Sequence, residues 1–195
     1  MARFLSVTST SPEETRILGA SLGPVLLPGD VISLSVDLGA GKTVLVQGLA
    51  ASLGVRGRVT SPSFTIVHEY KARYPILHID VYRLNSFQEV IDLGFEELLD
   101  PGAVMVVEWG EAVAPMLPAR HLEIDMRQGE SDDERVLYFK PHGFEWASKL
   151  EQMRSTAETL LDAASPDDSK GARFAYALAQ SPRDYGGESP DGLED

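Results

Sequence analysis

The sequence predicts an α/β fold in three layers, with central parallel strands flanked by antiparallel hairpins and an acidic tail outside the packed body. Three observations carry this. Residues 31–36 and 103–107 are short apolar runs rich in β-branched side chains, and the second has the continuous hydrophobicity of a parallel strand buried on both faces. Residues 44–53 follow the first run directly and place apolar side chains at helical spacing. Two pairs of strand-like segments, 64–70 with 76–82 and 122–126 with 135–139, are joined by short polar connections that favour hairpins.

The remaining elements follow in order. Residues 4–8 suit a short strand. Ser11-Pro12-Glu13-Glu14 then offers a capping serine, proline at the first helical position and acids in the first turn. Ile17, Leu18 and Leu22 continue that helix to Gly23-Pro24, and Pro28-Gly29-Asp30 turns the chain into residues 31–36. Leu53-Gly54-Val55-Arg56-Gly57-Arg58 is a glycine-broken connection. Residues 86–93 read as a helix capped by Ser86, followed by a loosely helical stretch at 95–99 and by Pro101-Gly102. Gln128 begins the polar turn of the second hairpin. Residues 143–164 are helical in pattern; from Ser165 the composition shifts to Pro, Gly, Ser and Asp, which predicts disorder with a transient helix at 173–180. The expected organisation is a nucleotide-binding domain at 1–150 and a helical, then disordered, acidic tail at 151–195.

Composition narrows the function. Apolar residues make up 43% of the 195 positions, enough for a packed core. No run of about 18 uncharged apolar residues occurs, so no membrane-spanning helix is expected. Residues 1–11 lack the basic, apolar and small-residue order of a secretion signal. Cysteine is absent, which excludes disulfides and thiolate chemistry and fits the cytoplasm. A net charge of −13 opposes tight direct contact with nucleic acid, whose binding depends on Lys and Arg at phosphates. Any link to RNA is therefore expected to run through a protein partner. From Glu151 onward ten acidic residues face four basic ones.

The strongest motif is Val36-Asp37-Leu38-Gly39-Ala40-Gly41-Lys42-Thr43. It fits a phosphate-binding loop, Gly-x-x-x-x-Gly-Lys-Ser/Thr, at every fixed position except the first, where Val36 stands. Strand before and helix after are the context the motif needs. Backbone N–H groups then converge at the positive end of the helix dipole, Lys42 can reach the β- and γ-phosphates, and the Thr43 hydroxyl can take a place on Mg²⁺. Leu38, Gly39, Ala40, Gly41, Lys42, Thr43 and Val44 are the expected nucleotide contacts, in a P-loop NTPase-like sandwich. Val36 is β-branched and cannot supply the positive φ or close approach that glycine does. Binding is expected to survive, because the later glycines are intact.

Three further segments suit a nucleotide site. Thr60-Ser61-Pro62-Ser63-Phe64-Thr65 is a hydroxyl-rich, proline-stiffened loop that can sense a γ-phosphate and Mg²⁺, or serve as an ordinary polar turn. In His78-Ile79-Asp80-Val81-Tyr82-Arg83, period-two geometry puts His78, Asp80 and Tyr82 on one face. Asp80 can hold hydrated Mg²⁺, whereas His78 reads as structural because a third metal ligand is missing. In Val106-Val107-Glu108-Trp109-Gly110-Glu111, Glu108 ends the buried strand, where ligands of open α/β sheets collect. A carboxylate there can activate a water, help hold the metal, or be a chance acid. Trp109 can stack on a base, anchor a partner or cap the core, and Glu111 reads as the start of the next helix.

Taken in order, these four segments resemble the bacterial TsaE (YjeE) family, over roughly residues 4–140. The resemblance implies a small Mg²⁺-dependent P-loop ATPase that works with TsaB and TsaD. Together they install threonylcarbamoyladenosine in tRNA, with TsaC supplying the activated donor, so tRNA is met only through the complex and no membrane is involved. By the same resemblance Lys42 and Thr43 hold phosphate and Mg²⁺, Asp80 is the Mg²⁺-associated acid, Glu108 is needed for hydrolysis, and Trp109 neighbours the nucleotide or partner. The chain departs from the family pattern at Val36, where glycine is usual, and at Ser63, where threonine is usual. Two other functions fit the loop: a nucleotide sensor without turnover, and a small-molecule kinase. Arg56, Arg58 and Arg73 form no lid pattern of the sort a kinase uses, and no Asn-Lys-x-Asp segment for reading guanine occurs.

Overall fold

The computed structural model describes residues 3–36, 41–84, 87–164 and 174–178. Among them, eight strands form one sheet: β1 (Arg3–Ser9), β2 (Val31–Val36), β3 (Val67–Tyr70), β4 (Ile76–Asp80), β5 (Val104–Glu108), β6 (His121–Gln128), β7 (Arg135–His142) and β8 (Phe174–Leu178). Their order is β3-β4-β5-β2-β6-β7-β1-β8. The four inner strands β4, β5, β2 and β6 run parallel. The rest pair antiparallel, through the expected hairpins β3–β4 and β6–β7 and through β1 between β7 and β8.

Alternation along the inner strands builds a core on each face, as period-two geometry requires. Ile32, Leu34, Val104, Val106, Leu122 and Ile124 meet helices α1 (Pro12–Leu22), α2 (Lys42–Ser52) and α4 (Phe144–Ala164) on one side. Val31, Ile79, Met105 and Val107 meet α3 (Phe87–Asp92) and the 3-10 turns Phe95–Leu98 and Gly110–Met116 on the other, through Val90, Phe95 and Val113. Helix α1 starts as its sequence predicts. The Ser11 hydroxyl accepts from the Glu14 N–H (3.2 Å), and the Glu14 carboxylate accepts from the Thr10 N–H (2.8 Å). Helix α4 passes position 150 unbroken and buries Met153, Ala157 and Leu161. No helix among the described residues is long and apolar enough to cross a membrane.

The structure differs from the sequence reading at four places, the first being Gln128, which pairs with Arg135 at the end of β6 instead of opening the turn. Residues 64–66 are not strand: the Thr65 and Ile66 N–H groups both turn back to the Pro62 carbonyl (2.9 and 2.7 Å), and pairing begins only at Val67. Strand β4 stops at Asp80 rather than Tyr82, because the Tyr82 N–H is taken by the Asp80 carboxylate (3.0 Å) in a local turn. The helix expected at 173–180 is instead β8, whose residues pair with β1 from Phe174↔Val7 to Leu178↔Arg3. Tertiary pairing with an open strand edge outweighs local helical preference there. The rest of the tail expected to be disordered, 165–173 and 179–195, lies outside the described residues, as does the expected cap Ser86.

Candidate functional site

The parallel strands end together, and their carboxyl ends deliver three of the predicted segments to one cavity of about 370 Å³. Gly41, Lys42, Thr43, Ser61, Ser63, Asp80, Tyr82, Arg83, Glu108 and Trp109 line it. Gly41 has φ +100°, a conformation that side chains resist, and its carbonyl accepts from the Val44 N–H (2.9 Å) as α2 begins. That geometry aims the first turn of α2, with Lys42 and Thr43, at the cavity.

Asp80 and Glu108 are register partners on β4 and β5 and are almost wholly buried. Buried carboxylates need partners, and each has a distinct set. One Asp80 oxygen accepts from the hydroxyls of Ser61 (2.7 Å) and Ser63 (2.6 Å), while the other accepts from the Tyr82 N–H. The loop that supplies the serines is fixed at both ends. The Tyr70 hydroxyl grips Thr60 through its N–H and carbonyl, and the Ile66 carbonyl accepts from the Asp80 N–H (2.9 Å). Glu108 Oε1 lies 2.8 Å from His78 Nε2, with both side chains essentially excluded from solvent.

Trp109 follows with φ +63°, and its N–H donates to the Leu34 carbonyl on β2 (2.9 Å). Close approach sets this turn, since a Cβ on Gly110 would lie 1.9 Å from Ser33 Oγ. The indole consequently overhangs the cavity, with Lys42 Nζ 4.3 Å from its ring centroid and the Tyr82 ring 4.9 Å away. Nearby, the Arg83 guanidinium lies 4.1 Å over Phe64, an aromatic that is 83% exposed.

Of the predicted site residues, Gly41, Lys42, Thr43, Asp80, Glu108 and Trp109 share this cavity. Val44 does not line it. Leu38, Gly39 and Ala40 lie outside the described residues. Sequence reasoning did not assign Ser61, Ser63 or Arg83 individually, although the hydroxyl-rich loop was a signal for the serines. The link between His78 and Glu108 spans thirty residues, and no spacing rule announces it.

The donor set fits Mg²⁺: hydroxyl and carboxylate oxygens of Thr43, Ser61, Ser63 and Asp80 face one space, and Mg²⁺ favours one or two carboxylates plus substrate phosphates over a protein cage. No group of three or more His, Asp or Glu side chains that could hold a metal occurs among the described residues.

Comparison with known proteins agrees with this layout. The family model for "Threonylcarbamoyl adenosine biosynthesis protein TsaE" matches residues 9–137. The chain is 37% identical over 146 residues to the tRNA threonylcarbamoyladenosine biosynthesis protein TsaE of Bacillus subtilis, covering 74% of this chain and 90% of that one. It is 41% identical over 140 residues to the protein of the same name from Mycobacterium bovis, covering 66% and 83%. The crystal structure of Bacillus subtilis YdiB superposes with a TM-score of 0.69 at 33% identity, over 80% of this chain and 97% of that one. With a family match that spans most of the sheet and every described segment of the cavity, this chain belongs to the TsaE family.

Proposed function

We propose that this chain is a Mg²⁺-dependent P-loop ATPase that supports threonylcarbamoyladenosine modification of tRNA, acting with TsaB and TsaD in the cytoplasm. The relatives' names supply the pathway, and one observation carries the chemistry. Lys42, Thr43, Asp80 and Glu108 converge on a single cavity at the carboxyl ends of parallel strands. This is where ligands of open α/β sheets bind, which supports a P-loop NTPase-like three-layer reading of the fold and a nucleotide-binding domain.

In this reading the first turn of α2 offers its N–H groups to the phosphates, and Lys42 adds its charge at the β- and γ-oxygens. Thr43 and Asp80 would hold Mg²⁺, with Glu108 alongside; when bound, the ion neutralises charge developing on the phosphate oxygens. Ser61 and Ser63 keep the Asp80 carboxylate in place. Glu108 orients a water and receives its proton as the water attacks the terminal phosphorus and the bond from that phosphorus to the bridging oxygen breaks, releasing ADP and phosphate. Trp109 covers the cavity beside the nucleotide. The net charge of −13 leaves tRNA contact to the partner proteins.

Phosphate release and calorimetric ATP binding, measured with and without TsaB and TsaD, test the proposal. Hydrolysis should be weak alone and faster with the partners. Lys42→Ala should abolish binding, and Glu108→Ala should slow turnover with binding kept. Tight binding without phosphate release, even alongside the partners, would make the chain a nucleotide sensor instead.

A further inference from the structure

His78 lies two residues before Asp80 on β4, and Glu108 is Asp80's register partner on β5. The imidazole therefore reaches Glu108 diagonally across two parallel strands, closing the 2.8 Å contact from Nε2 to Oε1. His78 is fully buried, and its other ring nitrogen, Nδ1, is the one buried side-chain nitrogen or oxygen among the described residues without a hydrogen-bond partner. The Tyr70 and His78 ring centroids lie 6.3 Å apart.

These facts assign the proton by elimination. A hydrogen on Nδ1 would be a buried donor with no acceptor, while Nε2 would turn a lone pair towards a carboxylate oxygen. Both arrangements are costly. A hydrogen on Nε2 donates to Oε1 and leaves only an acceptor lone pair unpaired. The hydrogen bond engages one oxygen of a carboxyl group that also lines the cavity.

We infer that His78 is a positioning residue: through Nε2–H it fixes the rotamer of Glu108 and holds its carboxylate ready for the attacking water. The inference rests on the role proposed for Glu108. It goes further by giving the orienting group, which acts through Glu108 and never touches the nucleotide. His78 thus has a purpose beyond filling the core, and Leu or Phe in its place would pack but not orient.

A double-mutant cycle on the full chain with TsaB and TsaD separates the possibilities. His78→Leu should lower turnover by about tenfold to a hundredfold, the usual effect of losing an orienting partner, with ATP affinity little changed. His78→Gln, which keeps a donor at similar reach, should recover most of the rate. In the Glu108→Ala background His78→Leu should add no further loss. An equal loss in both backgrounds, or full turnover in His78→Leu while Glu108→Ala is slow, would overturn the positioning role and leave the ATPase proposal standing. Full turnover in Glu108→Ala would overturn the ATPase role of that carboxylate and the inference with it. Long-range proton–nitrogen spectra of the ligand-free protein give a check independent of activity and of whether His78→Leu folds. They should place the His78 proton on Nε2, and a proton on Nδ1 would refute the assignment.

Discussion

The ammonium of Lys42 rests 4.3 Å from the centroid of the Trp109 ring, so the lysine of the phosphate-binding motif and the indole after β5 form one contact across the cavity. A cation over an indole face gains about 0.5–2 kcal/mol depending on its desolvation. A triphosphate entering the cavity competes for the same ammonium with full negative charges, and that attraction is the stronger. MgATP should therefore change the emission of Trp109 along a saturation curve. The chain has two tryptophans, so the measurement belongs in a Trp146→Phe background. Lys42→Met should abolish the response; a response of normal size in that variant would mean that the indole senses something other than this contact.

Packing gives a second prediction. Gly19 and Gly48 let α1 and α2 cross with their backbones touching: a Cβ at Gly48 would lie 1.9 Å from the Arg16 carbonyl oxygen, and one at Gly19 2.0 Å from that of Leu45. Helix propensity alone says that Gly48→Ala should stabilise by about 1 kcal/mol. Overpacking typically costs about 1–3 kcal/mol, and here the obstacle is backbone that cannot rotate away. The cost wins. The urea midpoint should fall, and nucleotide affinity with it, because α2 carries Lys42 and Thr43. A raised midpoint would show that the helices separate freely.

The sheet also carries a pH-sensitive polar ladder on β6 and β7. Hydrogen bonds from His142 (3.2 Å) and Lys140 (2.8 Å) lower the Glu123 carboxyl from 4.5 to about 2, against the opposing effect of burial. Its folded value lies below the unfolded one. The stabilisation is then complete above the unfolded value of 4.5 and fades as pH falls towards about 2. His121, stacked on His142 at 4.2 Å, is lowered from 6.5, chiefly by burial, so its contribution begins to fade at a higher pH. Glu123→Gln should cost about 1 kcal/mol near neutrality, since the ion pair is partly exposed. Paired denaturation curves across the acid range should show the gap between wild type and variant narrowing as pH drops below 4.5. A gap that stays constant would assign the effect to packing.

These residues show where sequence was a sufficient guide. Strand β5 was legible because burial on both faces demands an uninterrupted apolar run, β2 because its β-branched and apolar residues lead straight into the glycine-rich loop, and α1 because its cap, proline and acids lie within four consecutive positions. Lys42 and Thr43 were legible from the Gly-Lys-Thr pattern at a helix start, Asp80 from its place on one face of a strand, and Glu108 because it ends a buried strand, where the fold gathers ligands. What escaped depends on contacts distant in sequence. Ser61 and Ser63 meet Asp80 only after the Pro62 turn has formed, and His78 meets Glu108 only once β4 and β5 are aligned. Strand β8 was misread because its Ala-rich stretch is locally compatible with helix, and only the open edge of β1 makes it a strand.

That edge supports a last prediction. Strand β8 covers β1 from Arg3 to Val7, adds a hydrogen bond from the Ser6 hydroxyl to the Ala175 carbonyl (3.2 Å), and sets Phe174 against the main core. A chain ending at Ala164 loses all three and leaves β1 with a row of unpaired backbone donors and acceptors, the kind of edge that recruits strands from other molecules. The candidate nucleotide cavity is built from β2, β4, β5 and α2, with β6 and β7 between it and β1. The truncated chain should therefore keep ATP binding and turnover, unfold at a lower urea concentration, and aggregate faster at high protein concentration. Light scattering and phosphate release on the two lengths test both halves. Unchanged scattering would mean that the β1 edge is protected without β8, and lost turnover would mean that the tail reaches the site.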